Sequence, residues 1–236
     1  MEIFEEVLGS ISGGRVLDIA TLEGRFVQIL IEKLKDFSEI IGIDLNERAI
    51  ENARDAFNQE NVQFIVMDAE RLDFEDESFD TVCISASLHH LANIEWVLAE
   101  MKRVLKPGGH FILAEMHREA QSDAERTTTY LHQWAAEVDS ALGRLHNSTF
   151  TRQELVDYVV AIGLSKVEFY DVVDEDPVTK DETRIKQIED VIDMIIQRAE
   201  ETSNFKEFLE RGEILRKRLH EVGALSEPIL IAVGEK

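Results

Sequence analysis

The chain has one cysteine, Cys83, in 236 residues. That excludes an intrachain disulfide and a multi-cysteine metal site. Its apolar neighbours in "TVCIS" place the thiol in a buried strand rather than at a reactive surface. With three prolines and twelve glycines there is no Pro/Gly/Ser-rich linker or low-complexity tract to divide the chain, so residues 1–236 are expected to form a single domain. Basic residues are scarce too: 25 Lys and Arg stand against 48 Asp and Glu, a formal charge of −23. Such a balance opposes a phosphate backbone, which proteins neutralise with clustered Lys and Arg, so neither nucleic acid nor an anionic membrane is an expected partner. No apolar run approaches the roughly 20 residues that span a bilayer, and "MEIFEEVLGS" carries acids where a signal peptide carries bases. A cytoplasmic protein is the expectation.

What the chain does have is 44% hydrophobic content, enough for one sizeable core, arranged in alternating periods. Short β-branched runs at Val16–Ile19, Ile40–Ile43, Val62–Met67, Thr81–Ser85 and Phe111–Glu115 alternate with segments of helical spacing. This predicts an α/β fold, a doubly wound and mostly parallel sheet with helices on both faces. Phe26, Ile29, Leu30 and Leu34 make one helical stripe; Ile94, Val97, Leu98, Met101, Val104 and Leu105 make another, stopped by "LKPGG". Further on, the spacing predicts a helix over 122–146. A capping box at Thr151 and Glu154 opens another helix, to about Ile162, and a strand follows at Val167–Val173. Two helices within 185–222 and a last strand, "PILIAVGE", complete the pattern. The final two strands are expected to pair antiparallel at a sheet edge, with the helical hairpin of about 180–222 inserted between them.

In an open α/β sheet, ligands bind beyond the carboxyl ends of the strands. Asp18, Asp44 and Asp68 fall at three successive ends, and "SASLHHL" follows the fourth. The first turn, "VLDIATLEGRF", lacks the G-x-G-x-x-G pattern of a dinucleotide site, and Asp18 and Glu23 would set negative charge beside a pyrophosphate. Nicotinamide and flavin cofactors are therefore disfavoured. S-adenosylmethionine has no phosphate. Its ammonium, sulfonium, ribose hydroxyls and adenine amine suit carboxylates at three strand ends.

The blocks "VLDIATLEGRF", "IIGIDLNERAI", "FIVMDAERLDFEDESFD", "SLHHL" and "EMKRVLKPGGHFIL" together resemble the class I S-adenosylmethionine-dependent methyltransferases. Within that class the likeness is to the broad group that includes the ubiquinone and menaquinone biosynthesis enzymes, over about residues 14–117. The resemblance implies a Rossmann-like seven-stranded sheet with an antiparallel last strand, S-adenosyl-L-methionine as cofactor, and methyl transfer to an oxygen, nitrogen or carbon of a small molecule. It implies that Asp18 holds the methionine end, partly through water; that Asp44 takes both ribose hydroxyls with Leu45 against the adenine; and that Asp68 accepts from the adenine amine beside Ala69. Ser85 begins the loop facing the methyl group. Ala20 and Gly24 belong to the first loop, where Leu22 falls at a usual glycine position; its backbone is expected at negative φ, with the side chain over the methionine portion.

His89 and His90 are the candidate bases, because an imidazole accepts a proton at neutral pH, and His89 is preferred as the one nearer the strand. His117, Tyr130, His132 and Trp134 are candidates for lining a substrate pocket, with core packing the alternative for Trp134. His89, His117, His132 and His146 lack a ligand spacing such as H-x-x-x-H, so no metal is expected. Only about fourteen residues precede the first strand, so a cover over the site is expected from about 118–148 and from the hairpin, which would either close the substrate entrance or join two subunits in a homodimer. Two rival readings are a non-catalytic S-adenosylmethionine-fold scaffold and a methyltransferase acting on a protein side chain.

Overall fold

The structure, a computed structural model, describes residues 2–173 and 181–236. Seven strands form one sheet: β1 (Arg15–Ile19), β2 (Glu39–Asp44), β3 (Val62–Val66), β4 (Phe79–Ser85), β5 (Leu105–Met116), β6 (Ser165–Val172) and β7 (Ile229–Glu235). Their order is β3-β2-β1-β4-β5-β7-β6. The first five run parallel, and β7 lies antiparallel between β5 and β6. The order reverses between β1 and β4, which opens a crevice at the carboxyl ends of those two strands.

The central strands are apolar on both sides because both sides are covered. On one face Leu17, Ile19, Ile43, Val82 and Ile84 pack with α4 (Ile94–Val104) and α6 (Arg152–Ile162). On the other, Val16, Ile40, Cys83 and Ile112 pack with α1 (Glu2–Leu8), α2 (Arg25–Lys33) and α3 (Glu47–Ala56). The doubly wound sheet with its antiparallel last strand is thus as the sequence predicts. A third apolar cluster unites α5 (Asp123–Ala141), α7 (Glu182–Ala199) and α8 (Phe205–Val222) around Trp134, Ile192, Ile195, Phe208 and Leu219. Gly212 of α8 permits that contact, since a Cβ there would lie 2.9 Å from the Trp134 ring.

Three boundaries differ from expectation. Helix α1 has no counterpart in the predicted elements. Strand β5 begins at Leu105 instead of Phe111, because the "PGG" segment is not an isolated turn: Gly108 donates its N–H to Lys236 at 2.8 Å and Gly109 accepts from the Lys236 N–H at 3.1 Å. Helix α5 stops at Ala141 instead of His146, closed by Gly143 at φ 75° and by the Leu142 N–H bonded back to Val138. The capping box at Thr151 and Glu154 is present, and α5 opens on a second one at Ser122 and Glu125. The expected start of the hairpin near 180 lies outside the described residues.

Candidate active site

The turn after β1 is built by its acids. The Thr21 hydroxyl donates to Asp18 Oδ2 at 2.6 Å, and the Leu22 N–H donates to Asp44 Oδ2 at 2.9 Å. Asp44 Oδ1 accepts from the Asn46 N–H at 2.8 Å, while the Asn46 side chain caps α3. Asp68 turns the chain after β3 in the same way, taking the Glu70 N–H at 2.9 Å. Holding the turn tight costs backbone strain. Ala20 (φ 54°), Leu22 (φ 49°) and, after β4, Ala86 (φ 46°) all sit in the left-handed region, where a Cβ is disfavoured. The expectation of negative φ at Leu22 is therefore wrong. Leu22 adopts the backbone a glycine would, held there by the Asp44 carboxylate, and its side chain is 51% exposed.

Two cavities meet at this turn. One, of about 440 Å³, is lined by Asp18, Thr21, Glu23, Arg25, Ser85 and Ala86. The other, of about 490 Å³, is lined by Asp44, Leu45, Asp68, Ala69, His90 and Leu145. Ala20, Leu22 and Ser87 border both, so the pair forms one bent trough over the ends of β1–β4. Asp18 is 1% exposed, and burial, with the Asp44 charge adding to it, raises its pKa to about 7 against the Thr21 hydrogen bond. Among the described residues no Lys or Arg pairs with Asp18, Asp44 or Asp68. A buried acid without a countercharge, beside a cavity, is suited to a cationic ligand.

Residues 17–113 match the family model described as a methyltransferase domain. The match covers the stretch that carries all three strand-end acids. The ubiquinone/menaquinone biosynthesis C-methyltransferase UbiE of Ectopseudomonas mendocina is 35% identical over 117 residues, 48% of this chain and 46% of that protein. The UbiE protein of Bordetella avium is 28% identical over 172 residues, 68% of this chain and 67% of that one. The chain spans about half the length of the first of these. Among solved structures, the YcgJ protein of Bacillus subtilis superposes with a TM-score of 0.64 at 18% identity, covering 100% of this chain and 97% of its own, a likeness of fold.

The trough suits S-adenosylmethionine, the cofactor that the resemblance of the sequence blocks implies. Asp18 keeps acceptor capacity for an ammonium group. Each Asp44 oxygen accepts one backbone N–H and retains a lone pair for a hydroxyl. Leu45, 68% exposed, offers an apolar surface beside them.

The remaining candidates divide. His90 faces the trough, while His89, the base preferred from sequence, is buried behind it with Nδ1 3.3 Å from Glu115 Oε1. Desolvation, then the neighbouring His89 and His146 rings, lowers the His90 pKa to about 4, although the residue's outer edge remains in solvent. Gly24, at φ 82°, lies against Phe57 and Phe64 and lines neither cavity; its role is to let the turn pack. Trp134 is fully buried in the helical core, Tyr130 lies at the surface under the Arg218 guanidinium, and His117 is buried beside Phe150. None of the three lines the trough.

His132 does reach the histidine cluster, because it shares a face of α5 with Thr128 and Asp139, opposite the face carrying Leu131 and Trp134. Glu115 was not singled out from sequence. Its signal is a lone acid inside the apolar run "FILAEM"; buried, it receives the Leu88 N–H at 2.8 Å and the Met116 N–H at 2.9 Å.

Proposed function

We propose that the whole chain is a methyltransferase that carries the methyl group of S-adenosylmethionine to a small-molecule acceptor. The observation that carries this reading is the bent trough, with uncompensated acids at three strand ends and a histidine at its far side. As the acceptor forms its bond to the methyl carbon, the carbon–sulfur bond breaks and S-adenosylhomocysteine leaves. The acceptor gives up a proton, and His90, neutral at physiological pH and facing the trough, is the group placed to take it. Positioning and exclusion of water supply the remainder of the rate. The layer of α5, α7 and α8 is the material for a cover, which makes residues 1–236 one working unit. The curated relatives are C-methyltransferases, which favours carbon as the acceptor atom. Their strongest likeness lies in the half that holds the cofactor, so the acceptor itself is read from the chain's own second half.

Calorimetric titration with S-adenosylmethionine tests the reading. Wild type is expected to bind, and Asp44→Ala to lose a pair of charge-assisted hydrogen bonds worth about 2–3 kcal/mol, which is roughly 30- to 150-fold in affinity. The variant should also melt earlier, by roughly 1–2 kcal/mol, because Asp44 holds the Leu22 and Asn46 amides as well. From sequence alone, no such loss of stability is expected. Wild-type affinity in Asp44→Ala would remove the ribose role, and absence of binding to wild type would remove the proposal.

A further inference from the structure

Helix α5 brings together three histidines that the chain keeps apart: His89 from the single 3-10 turn Leu88–His90, His132 from α5, and His146 from the loop beyond it. A ring nitrogen of each lies within 4.8 Å of one on each of the others. Two of these rings bond a carboxylate through Nδ1, and the third, His89, has one close to its Nδ1 without a hydrogen bond. Glu227 Oε2 is 3.1 Å from His132, Asp139 Oδ2 is 2.9 Å from His146, and Glu115 Oε1 is 3.3 Å from His89. Arg198, at 2.8 Å, and Arg144, at 3.5 Å, balance Asp139 from its other side.

A neutral imidazole that donates Nδ1–H to a carboxylate carries a lone pair on Nε2. The Nε2 atoms of His132 and His146 face each other at 3.0 Å. Two lone pairs at that distance repel unless a cation lies between them. A proton would serve one pair, but it would place positive charge among four imidazoles, since the His90 ring also lies 4.2 Å from His89 and 4.3 Å from His146. A metal ion would take the lone pairs of all three ligands at once. Nitrogen ligands about 2.0–2.1 Å from a tetrahedral zinc stand about 3.3 Å apart; the His132 and His146 nitrogens, at 3.0 Å, are already at that spacing, and the cluster, which spans up to 4.8 Å, would draw in around the ion. Carboxylates behind the ligating histidines are the arrangement that fixes ring orientation and raises ligand basicity at such centres.

We propose that His89, His132 and His146 form a site for one divalent transition metal of the zinc class, with Glu227 and Asp139 orienting two of the ligands and Glu115 beside the third. Three protein ligands leave a fourth position for water or for an oxygen of a small molecule. His90 and Leu145, the chain neighbours of two ligands, line the larger cavity, so that position is close to the proposed place of the acceptor. The metal site itself does not depend on methyl transfer.

The test is a titration of chelator-treated full chain with Zn²⁺, in competition with a chromogenic chelator and without S-adenosylmethionine. Co²⁺ serves as a second probe, read by its tetrahedral visible absorption. One equivalent is expected to bind. His146→Asn should weaken binding by at least about 100-fold, and Glu227→Gln, which leaves all three ligands in place, by about 10- to 100-fold. His220→Asn, at a histidine on the outer face of α8 beside Glu189, should leave it unchanged. Circular dichroism establishes that each variant is folded; if His146→Asn is not, Glu227→Gln decides. Folded wild type that takes up no metal would overturn the proposal, as would uptake unchanged in both cluster variants.

Discussion

Asp18, Asp44 and Asp68 stand at the ends of three neighbouring strands, whereas His89, His132 and His146 come from a turn, a helix and a loop with two helices and a strand between the first and the last. In the first group the hydrogen-bonded register of β1, β2 and β3 delivers each side chain to the same edge, so position along the chain determines position in space. In the second group nothing local does so. His132 reaches His89 only because the opposite face of α5 is anchored by Trp134 to α7 and α8. The two regions should therefore respond to different perturbations: the strand-end acids to charge and pH, the histidine cluster to helix packing.

The largest expected effect breaks the comparison at Asp18. Its folded-state pKa, about 7, lies above its unfolded value near 3.8. A raised pKa means that the stability supplied by protonated Asp18 is complete below about pH 4 and is lost as the pH rises through about 7, on the order of 4 kcal/mol in all. A cationic ligand inverts the preference and favours the ionised carboxylate. Affinity for S-adenosylmethionine should thus fall below pH 7, approaching tenfold per pH unit and amounting to roughly 50-fold between pH 7 and pH 5. Asp18→Asn should flatten both profiles, melting at higher temperature than wild type at pH 8 while binding the cofactor more weakly there. Calorimetry and thermal melting from pH 5 to pH 8 provide the check. A profile shared by wild type and Asp18→Asn would assign the titration to another group.

A smaller effect sharpens the other side of the comparison. Gly212→Val would drive a side chain into the Trp134 ring and towards Ile196, whose Cδ1 is 3.1 Å from the added Cβ position. Overpacking of this kind costs about 1–3 kcal/mol, partly offset because glycine is a poor helix former. The expected outcome is a lower melting temperature with cofactor affinity essentially retained, since no acid of the trough touches α8. An equal loss of cofactor affinity would show that the helical layer and the strand ends are one cooperative site.

The same contrast explains what could be read from the sequence. The β-branched runs ending in Asp18, Asp44 and Asp68 carried both the sheet and the trough, because strand and ligand-facing residue are contiguous. "SLHHL" marked the turn at the trough but not which of its histidines would face the cavity. Sequence order put His89 nearer the strand, while the 3-10 turn rotates it inward onto Glu115 and leaves His90 at the cavity. Trp134 and His132 are two residues apart on α5 yet face opposite ways, one into the helical core and one towards the histidine cluster, a division that depends on which stripe α7 and α8 cover. An interval rule such as H-x-x-x-H describes ligands on one helix. It is blind to three ligands drawn from three segments.

The smallest expected effect lies in the first loop. Leu22 stores strain at φ 49°, on the order of 1–2 kcal/mol for a residue with a Cβ. Leu22→Gly relieves that strain but adds about 0.4–1 kcal/mol of freedom to the unfolded chain. The net change in stability should therefore be between about zero and a gain of about 1.5 kcal/mol. The Leu22 amide bonded to Asp44 survives the substitution, so the backbone of the turn has no reason to move. Affinity for S-adenosylmethionine should change only a few-fold, by about 1 kcal/mol or less, and in either direction, according to whether the exposed leucine shields the ligand or merely borders it. Titration of both proteins, together with their melting temperatures, separates strain from contact. A gain of tenfold or more in affinity without a matching gain in stability would mean that the leucine side chain itself stands in the cofactor's place, and that the first region, for all its regular geometry, is partly closed to its own ligand.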